Sequence, residues 1–473
     1  MHEKKVRVSF IESIIILVLL LAILGTLIIG AKLTPHIPIL LASMLLLLYG
    51  RYKGFTWDEI HAGIVQGITP GIIPILIFLL IGVLVATWIL AGTIPTMMVY
   101  GFELISVKYF LPTVFIVCSL VGVTVGSSFT TISTMGIAFL GIGHLLGFNS
   151  AMVTGAVVSG AFLGNNLSPL SDTTNLAAGI GEINLFDHIL NMLQTVIPAF
   201  ILSLVGYLFL GHHSGPADLK AVAAMIQTLE KNFWISPITL LPVITLFFCA
   251  WRKIPAIPTL LLGSTMAVIL AIVHNPSLKL QQLSTILMSG YIADTPDKSI
   301  NLLLSRGGIE SMLSSAALIL LALGLGGLLI KYEIISTLIE RIKGYVNTPT
   351  KLITLTAISS VGVNLLVGEQ YLSIILPGET FKSSFDRLNI NKKYLTRTLA
   401  DAGAAFNSLI PWGVSGTFIM GTLKVSALDY LPYAFFPLLC PFITIILSFT
   451  LKKKRAISET TGVLETNHQN PVQ

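Results

Sequence analysis

Six apolar runs, near residues 10–30, 71–92, 188–211, 256–274, 312–331 and 431–450, are each long enough to cross a bilayer core as a helix, which takes roughly 17–25 residues. Hydrophobic residues fill 54% of the 473 positions and charged residues only 11%, too little polar surface for the chain to enclose itself in water. The expectation is an all-α polytopic membrane protein, because in lipid each backbone N–H must be satisfied within its own segment. Shorter or interrupted runs near 37–50, 109–124, 128–146, 150–180, 236–250, 351–367, 371–389 and 394–422 fill the intervals. The first run follows Lys4, Lys5 and Arg7, but it outlasts a signal core and no small-residue cleavage site follows, so it reads as a true span. Cys118, Cys249 and Cys440 stand singly in apolar sequence and match no metal or redox spacing. The net charge of +6 lies in short clusters beside spans, not in a patch interleaved with aromatics, which argues against nucleic acid as a partner.

One stretch breaks this pattern. Gly164-Asn-Asn-Leu-Ser-Pro-Leu-Ser-Asp-Thr-Thr-Asn175 places amides, a carboxylate and a proline inside apolar sequence. Backbone freed by Pro169 and a charge at Asp172 survive at membrane depth only where protein buries them or a cavity receives them. The stretch reads as a binding site. The plain alternative for Asp172 is an N-cap of the half-helix that follows, a position Asp favours.

Sliding the sequence on itself by 242 positions aligns Gly126 with Gly368, Gly136 with Gly378, Asn149 with Asn391, Asn165 with Asn407 and Pro169 with Pro411. A fixed-period duplication accounts for this register. Each half parses into three spans, a re-entrant hairpin, a span broken at its proline, and a last span. Five crossings per half invert the second half relative to the first, the plan of many secondary transporters. The divisions follow: scaffold spans of the first repeat over 1–107, and its transport elements over 108–211 (hairpin 109–146, broken helix 150–180, last span 188–211). An external linker covers 212–234, with a short surface helix expected over 221–229, and scaffold spans of the second repeat cover 235–350. Its transport elements cover 351–451 (hairpin 351–389, broken helix 394–422, last span 431–450), and a disordered cytoplasmic tail covers 452–473. With both termini inside, most of the 28 lysines and arginines fall in predicted cytoplasmic segments, as the positive-inside rule requires.

The offset brings four polar elements to the midplane: hairpin tips at Gly126-Ser127-Ser128 and Gly368-Glu369-Gln370, and helix breaks at Asn165-Asn166-Leu-Ser168-Pro169 and Asn407-Ser408-Leu-Ile-Pro411. Carbonyl and side-chain oxygens at such breaks replace the water around a small cation, and Asn and Ser oxygens suit a hard ion such as sodium. Asp172, Glu369 and Asp401 are the candidate cation- and proton-binding acids, with Asn165, Asn166, Ser168, Thr173 and Asn407 completing the cation shell. Ser127, Ser128, Thr174, Gln370 and Ser408 are candidate hairpin-tip or substrate contacts. For Asp401 the competing reading is a packing acid paired with Arg397 at i−4, and Trp412 is expected to wedge the second break. Gly324-Leu-Gly-Gly327 reads as a close-packing patch. No phosphate loop and no His-Glu-x-x-His pair occurs, so neither a cofactor nor an enzymatic activity is expected.

With Leu167-Ser-Pro-Leu-Ser-Asp-Thr-Thr-Asn175, Glu369-Gln-Tyr-Leu-Ser-Ile-Ile-Leu-Pro-Gly378 and Leu409-Ile-Pro-Trp412 identified, the chain resembles the NhaC family of sodium/proton antiporters, from the first span to about 450. The resemblance implies an elevator-type fold in a prokaryotic inner membrane, with hairpins and broken helices carried against a scaffold that usually dimerises. It implies sodium/proton exchange by alternating access. Asn165-Asn166 and Gly413-Val-Ser415 depart from the acidic-basic pair and the Asn-Thr-Cys that relatives often carry. That departure keeps an alternative open: a sodium-coupled carrier of a small organic anion such as malate or lactate, or of an amino acid. A channel fits two occluding hairpins less well, and an intramembrane protease lacks its Gly-x-Gly-Asp element.

Overall fold

The structure, a computed structural model, describes residues 8–104, 107–212 and 219–465, and it is helical with no strand among the described residues. Phe10–Gly30, Trp57–Leu90, Leu185–Gly211, Ala256–His274, Glu310–Lys331 and Pro349–Val367 are long and apolar enough to cross a membrane. Two further pairs, Ala223–Asn232 with Pro237–Trp251 and Ala427–Tyr433 with Phe435–Leu451, bend by 86° and 61° at short breaks. The second span starts earlier than its apolar run. Thr56 and Glu59 form a capping box that starts Trp57–Ile68, and one 3-10 turn at Thr69–Gly71 joins this amphipathic helix to Ile72–Leu90. The surface helix expected at 221–229 runs over Leu219–Asn232. The last helix continues through Glu465, where the sequence suggested a disordered tail from 452: residues 452–465 include no proline to stop it. Residues 466–473 lie outside the described residues.

Both hairpins are present as paired helices. Phe110–Val125 turns at Gly126 into Ser128–Thr131 and its continuation to Leu145. Pro349–Val367 turns at Gly368 into Gln370–Arg387. Both turn glycines are left-handed, with φ of 72° and 74°, a conformation that penalises a Cβ.

The duplication is visible in what these elements touch. A Cβ built on Gly126 meets Leu170, and one on Gly368 meets the backbone of Trp412, the residue that the 242-position offset pairs with Leu170. Each tip therefore rests on the break of its own repeat. The second arms cross over instead: Gly136 packs on Val157 and on Leu423 of the other repeat, and Gly378 packs on Leu399 and on Ile180 of the other repeat. Exchange of contacts in both directions is the mark of a pseudo-two-fold relation.

Beside this core, Trp57–Ile68 lies directly on Glu310–Lys331. A Cβ on Gly67 would stand 2.4 Å from the Leu323 carbonyl and 2.5 Å from Gly327 Cα, and one on Gly327 would stand 2.3 Å from the Gly63 carbonyl. Small residues here let two backbones approach, and the contact is van der Waals packing, because lipid supplies no hydrophobic drive between helices. Gly67→Leu is expected to force the pair apart at about 3 kcal/mol, the upper range for overpacking. A melt followed by fluorescence size exclusion checks this. A midpoint equal to that of the unaltered protein would show that the helices separate freely.

Candidate functional site

The first break is built by Pro169, which removes a backbone donor and clashes with the preceding turn. Ser150–Leu167 ends there, and a new helix, Asp172–Gly181, begins after a short break. Ser171 caps that helix, its Oγ accepting from Thr174 N at 3.3 Å. Asp172 is therefore the first helical residue and not the cap, and its carboxylate is left for other work. Asn165 and Thr173 bridge the break, Asn165 Nδ2 donating to Thr173 Oγ1 at 3.0 Å, while Thr174 Oγ1 donates to the Asn165 carbonyl at 3.0 Å. Ser168 Oγ donates to the Val123 carbonyl at 2.7 Å and so ties the break to the first hairpin.

Asp172 is exposed, contrary to the burial expected at membrane depth. Its surroundings explain this: it borders a cavity of about 560 Å³ that also reaches Ser127, Ser128 and Thr130 of the first hairpin, Asn165 and Thr173 of the break, and Gln370 and Tyr371 of the second hairpin. The opposite wall comes from helix Ile72–Leu90, with Pro74 and Ile77, and from Lys253 to Thr259 at the start of helix Ala256–His274. The Tyr371 hydroxyl donates to Asp172 Oδ2 at 2.5 Å, joining the second hairpin to the first break.

The second break has the same plan and a different finish. Asn407 Nδ2 donates to Asn364 Oδ1 at 2.9 Å and to the Gly368 carbonyl at 3.0 Å, and its Oδ1 accepts from Ser415 N at 3.0 Å. By the offset Ser415 corresponds to Thr173, so the Asn165–Thr173 and Asn407–Ser415 pairs are equivalent. Gln370 Nε2 donates to Ser415 Oγ at 2.7 Å. Trp412 Nε1 donates to the Leu365 carbonyl at 2.8 Å, which wedges the break against the hairpin. Ser408 Oγ bonds back to the Ala405 carbonyl, and its own carbonyl accepts from the Tyr430 hydroxyl. Asn407 and Ser408 are fully buried and do not line the cavity.

The remaining acids separate. Glu369 is buried and caps Gln370–Arg387, its Oε2 accepting from Leu372 N at 2.8 Å; Ser127 does the same at the first tip by accepting from Thr130 N. Asp401 is also buried, within the π-helical Ala400–Ala405, and accepts from Thr444 Oγ1 at 2.5 Å. The competing reading, a pairing with Arg397, is not what the structure shows: Arg397 Nη1 donates to Gln194 Oε1 at 2.8 Å. Asn166 is buried with its Nδ2 unpartnered, and like Asp401 it does not line the cavity.

Residues 160–451 match the sequence profile described as the Na+/H+ antiporter family. The Na(+)/H(+) antiporter NhaC of Alkalihalophilus pseudofirmus is 40% identical over 94% of this chain and 96% of its own length. The chain belongs to the Na+/H+ antiporter family. Its similarity to the NhaC of Bacillus subtilis is 38% over 95% of this chain and all of that one, and to the arginine/ornithine antiporter ArcD of Halobacterium salinarum 33% over 94% and 92%. Family membership and the apolar helices make it a multi-pass protein of the bacterial cell membrane.

In this antiporter-family chain the structure brings Asp172, Asn165, Thr173, Ser127, Ser128 and Gln370 to one cavity and leaves Glu369, Asp401, Asn166, Ser168, Thr174, Asn407 and Ser408 outside its lining. Tyr371, Thr130, Lys253 and Thr259 are polar wall residues that were not among the candidates. Tyr371 stood within a motif already singled out, two residues beyond the tip acid, and a hydroxyl so close to a hairpin tip was the available signal.

Proposed function

We propose that the chain exchanges sodium for protons by alternating access, with the carboxylate of Asp172 as the cation centre. The observation that carries this is an exposed Asp172 at a helix break, facing a cavity ringed by hydroxyl and amide oxygens, in a chain of this family. Sodium at Asp172 draws on oxygens of Thr173, Asn165 and the Ser127-Ser128 tip, hard donors for a hard ion. The cavity lies between the scaffold spans and the hairpin-and-break elements, where relative movement of the two opens or closes it. By the positive-inside rule its Lys253 wall is cytoplasmic, which makes this arrangement inward-open in the inner membrane, with both termini inside.

A second reading rests on the cavity itself. Its volume of about 560 Å³ exceeds what a bare sodium ion needs, and Lys253 shares it with Asp172, a cation and an anion for the two ends of a small amino acid. Proteoliposomes holding an internal pH dye, pulsed with sodium, lithium or potassium and then with amino acids and organic anions, separate the readings. Exchange predicts proton movement on sodium alone. If sodium moves protons only when an organic solute is added, the solute carrier is the correct reading.

A further inference from the structure

A second polar file runs through the protein away from the Asp172 cavity. On Leu185–Gly211, His188, Asn191 and Thr195 fall at helical spacing on one buried face, turned toward Lys393–Leu399 and the π-helical turn that follows. Thr396 donates to the Lys393 carbonyl at 3.1 Å, so its oxygen accepts from His188 Nδ1, 2.9 Å away. Asn191 Nδ2 donates to the same carbonyl at 2.8 Å. Arg397 reaches Gln194, and Asp401 follows one turn deeper. Four buried atoms on this file have no partner: His188 Nε2, Asn191 Oδ1, Arg397 Nε and Asp401 Oδ1. Buried polar atoms are nearly always satisfied, and a row of unsatisfied ones suits bridging water.

The file has a mouth. A cavity of about 560 Å³ is lined by Asn184, Asp187, Asn191, Gln194, Asn391 and Lys393, on the lysine-rich side of the protein. None of its lining residues is shared with the Asp172 cavity. Asn191 and Gln194 belong to both mouth and file, so water in the cavity touches the partner of Arg397.

We propose that Asp401 is a proton-carrying acid served by this file, physically separate from the sodium centre at Asp172. The inference rests on the sodium/proton reading above and divides its labour. An exposed carboxylate such as Asp172 is suited to an ion that arrives through water. A buried carboxyl lacking an ion pair is less costly neutral than charged, which suits Asp401 to hold a proton. Arg397 is the one charged side chain near it from the preceding helix. Thr444 and Cys440 face it from the last helix and Thr195 from the helix of the file. The hairpin helices contribute Asn364, whose amide donates to the Ala402 and Gly403 carbonyls, and Ser373 beside Gly403; none of these is charged. Helix Asp172–Gly181 also borders this turn, with its acid at the cavity end. With Asp401 neutral, Arg397 rests on Gln194, the arrangement observed. When the proton leaves through the file, Arg397 is placed to turn from Gln194 to the new carboxylate.

The test uses the full chain in proteoliposomes, with two fluxes measured on each variant: sodium/sodium exchange by radioactive sodium, and sodium-driven proton movement. Asp401→Asn is expected to keep sodium/sodium exchange within about twofold of the unaltered protein and to lose at least about tenfold of the proton flux. Asp401→Glu is expected to restore flux with a displaced pH profile. Gln194→Leu, at an exposed position, is expected to slow proton flux most at high pH, where protons are scarce, with sodium exchange unchanged. Proton flux that survives intact in Asp401→Asn overturns the proposal. So does parallel loss of both fluxes in Gln194→Leu. Absence of sodium-driven proton flux in the unaltered protein instead overturns the exchange reading itself.

Discussion

Asp172→Asn is expected to lower sodium affinity about 100-fold and to abolish sodium-driven proton flux with it. The magnitude follows from the carboxylate's charge. A unit charge about 4 Å from an ion contributes about 1 kcal/mol in bulk water and about 4 kcal/mol near a protein surface; Asp172 lies between these limits, on a cavity wall. Folding should survive, since Ser171 holds the cap and Asn is the same size. Tyr371→Phe is expected to act the other way. Its phenol occupies Oδ2, and a hydrogen bond to a charged group contributes about 1.5–3 kcal/mol, so its removal frees the oxygen and tightens sodium by about tenfold. Sodium isotherms from calorimetry decide both. Affinity within threefold of the unaltered protein in Asp172→Asn would move the cation centre elsewhere.

The spans and the breaks were legible because hydrocarbon leaves few options: Pro169 and Pro411 had to end helices, and Gly126 and Gly368 had to be turns. The repeat also located Asn165 and Asn407 as equivalents. Side-chain roles were less legible, and for identifiable reasons. An offset pairs a residue with its own counterpart, whereas the contact that matters joins Asp172 to Tyr371, which the offset matches to Phe129. The cap moved by one position because Ser171, a residue of equal capping preference, stood directly before the acid. Exposure of Asp172 depends on two hairpins, a helix break and the helices Ile72–Leu90 and Ala256–His274 leaving a cavity among them, which no local pattern encodes. The i−4 spacing of Arg397 and Asp401 was visible, but Gln194 and Thr444, from helices far away in sequence, take their groups first.

The two equivalent asparagines are expected to respond differently to the same substitution. Asn407→Ala removes three hydrogen bonds at a fully buried site: Ser415 N and Asn364 Oδ1 lose these partners, and the Gly368 carbonyl keeps only its bond from Val414 N. Each such loss costs about 1–3 kcal/mol, and even with carbonyls finding other donors the total is about 3–5 kcal/mol, at the far end of single substitutions. Asn165→Ala removes one side-chain bond, to Thr173, beside a cavity where water replaces the donor. Its effect on folding should be about 1 kcal/mol, with the larger effect on sodium. Thermal midpoints with and without sodium separate the two, because a ligand that binds only the folded state raises stability according to its occupancy. Asn407→Ala is expected to lower the midpoint by the same amount in both conditions. For Asn165→Ala the midpoint without sodium should nearly match that of the unaltered protein, and the sodium-induced rise should shrink. Equal sodium-induced rises in all three proteins would mean that neither break holds the ion. In that case the first half would owe its asparagine to architecture alone, as the second half does.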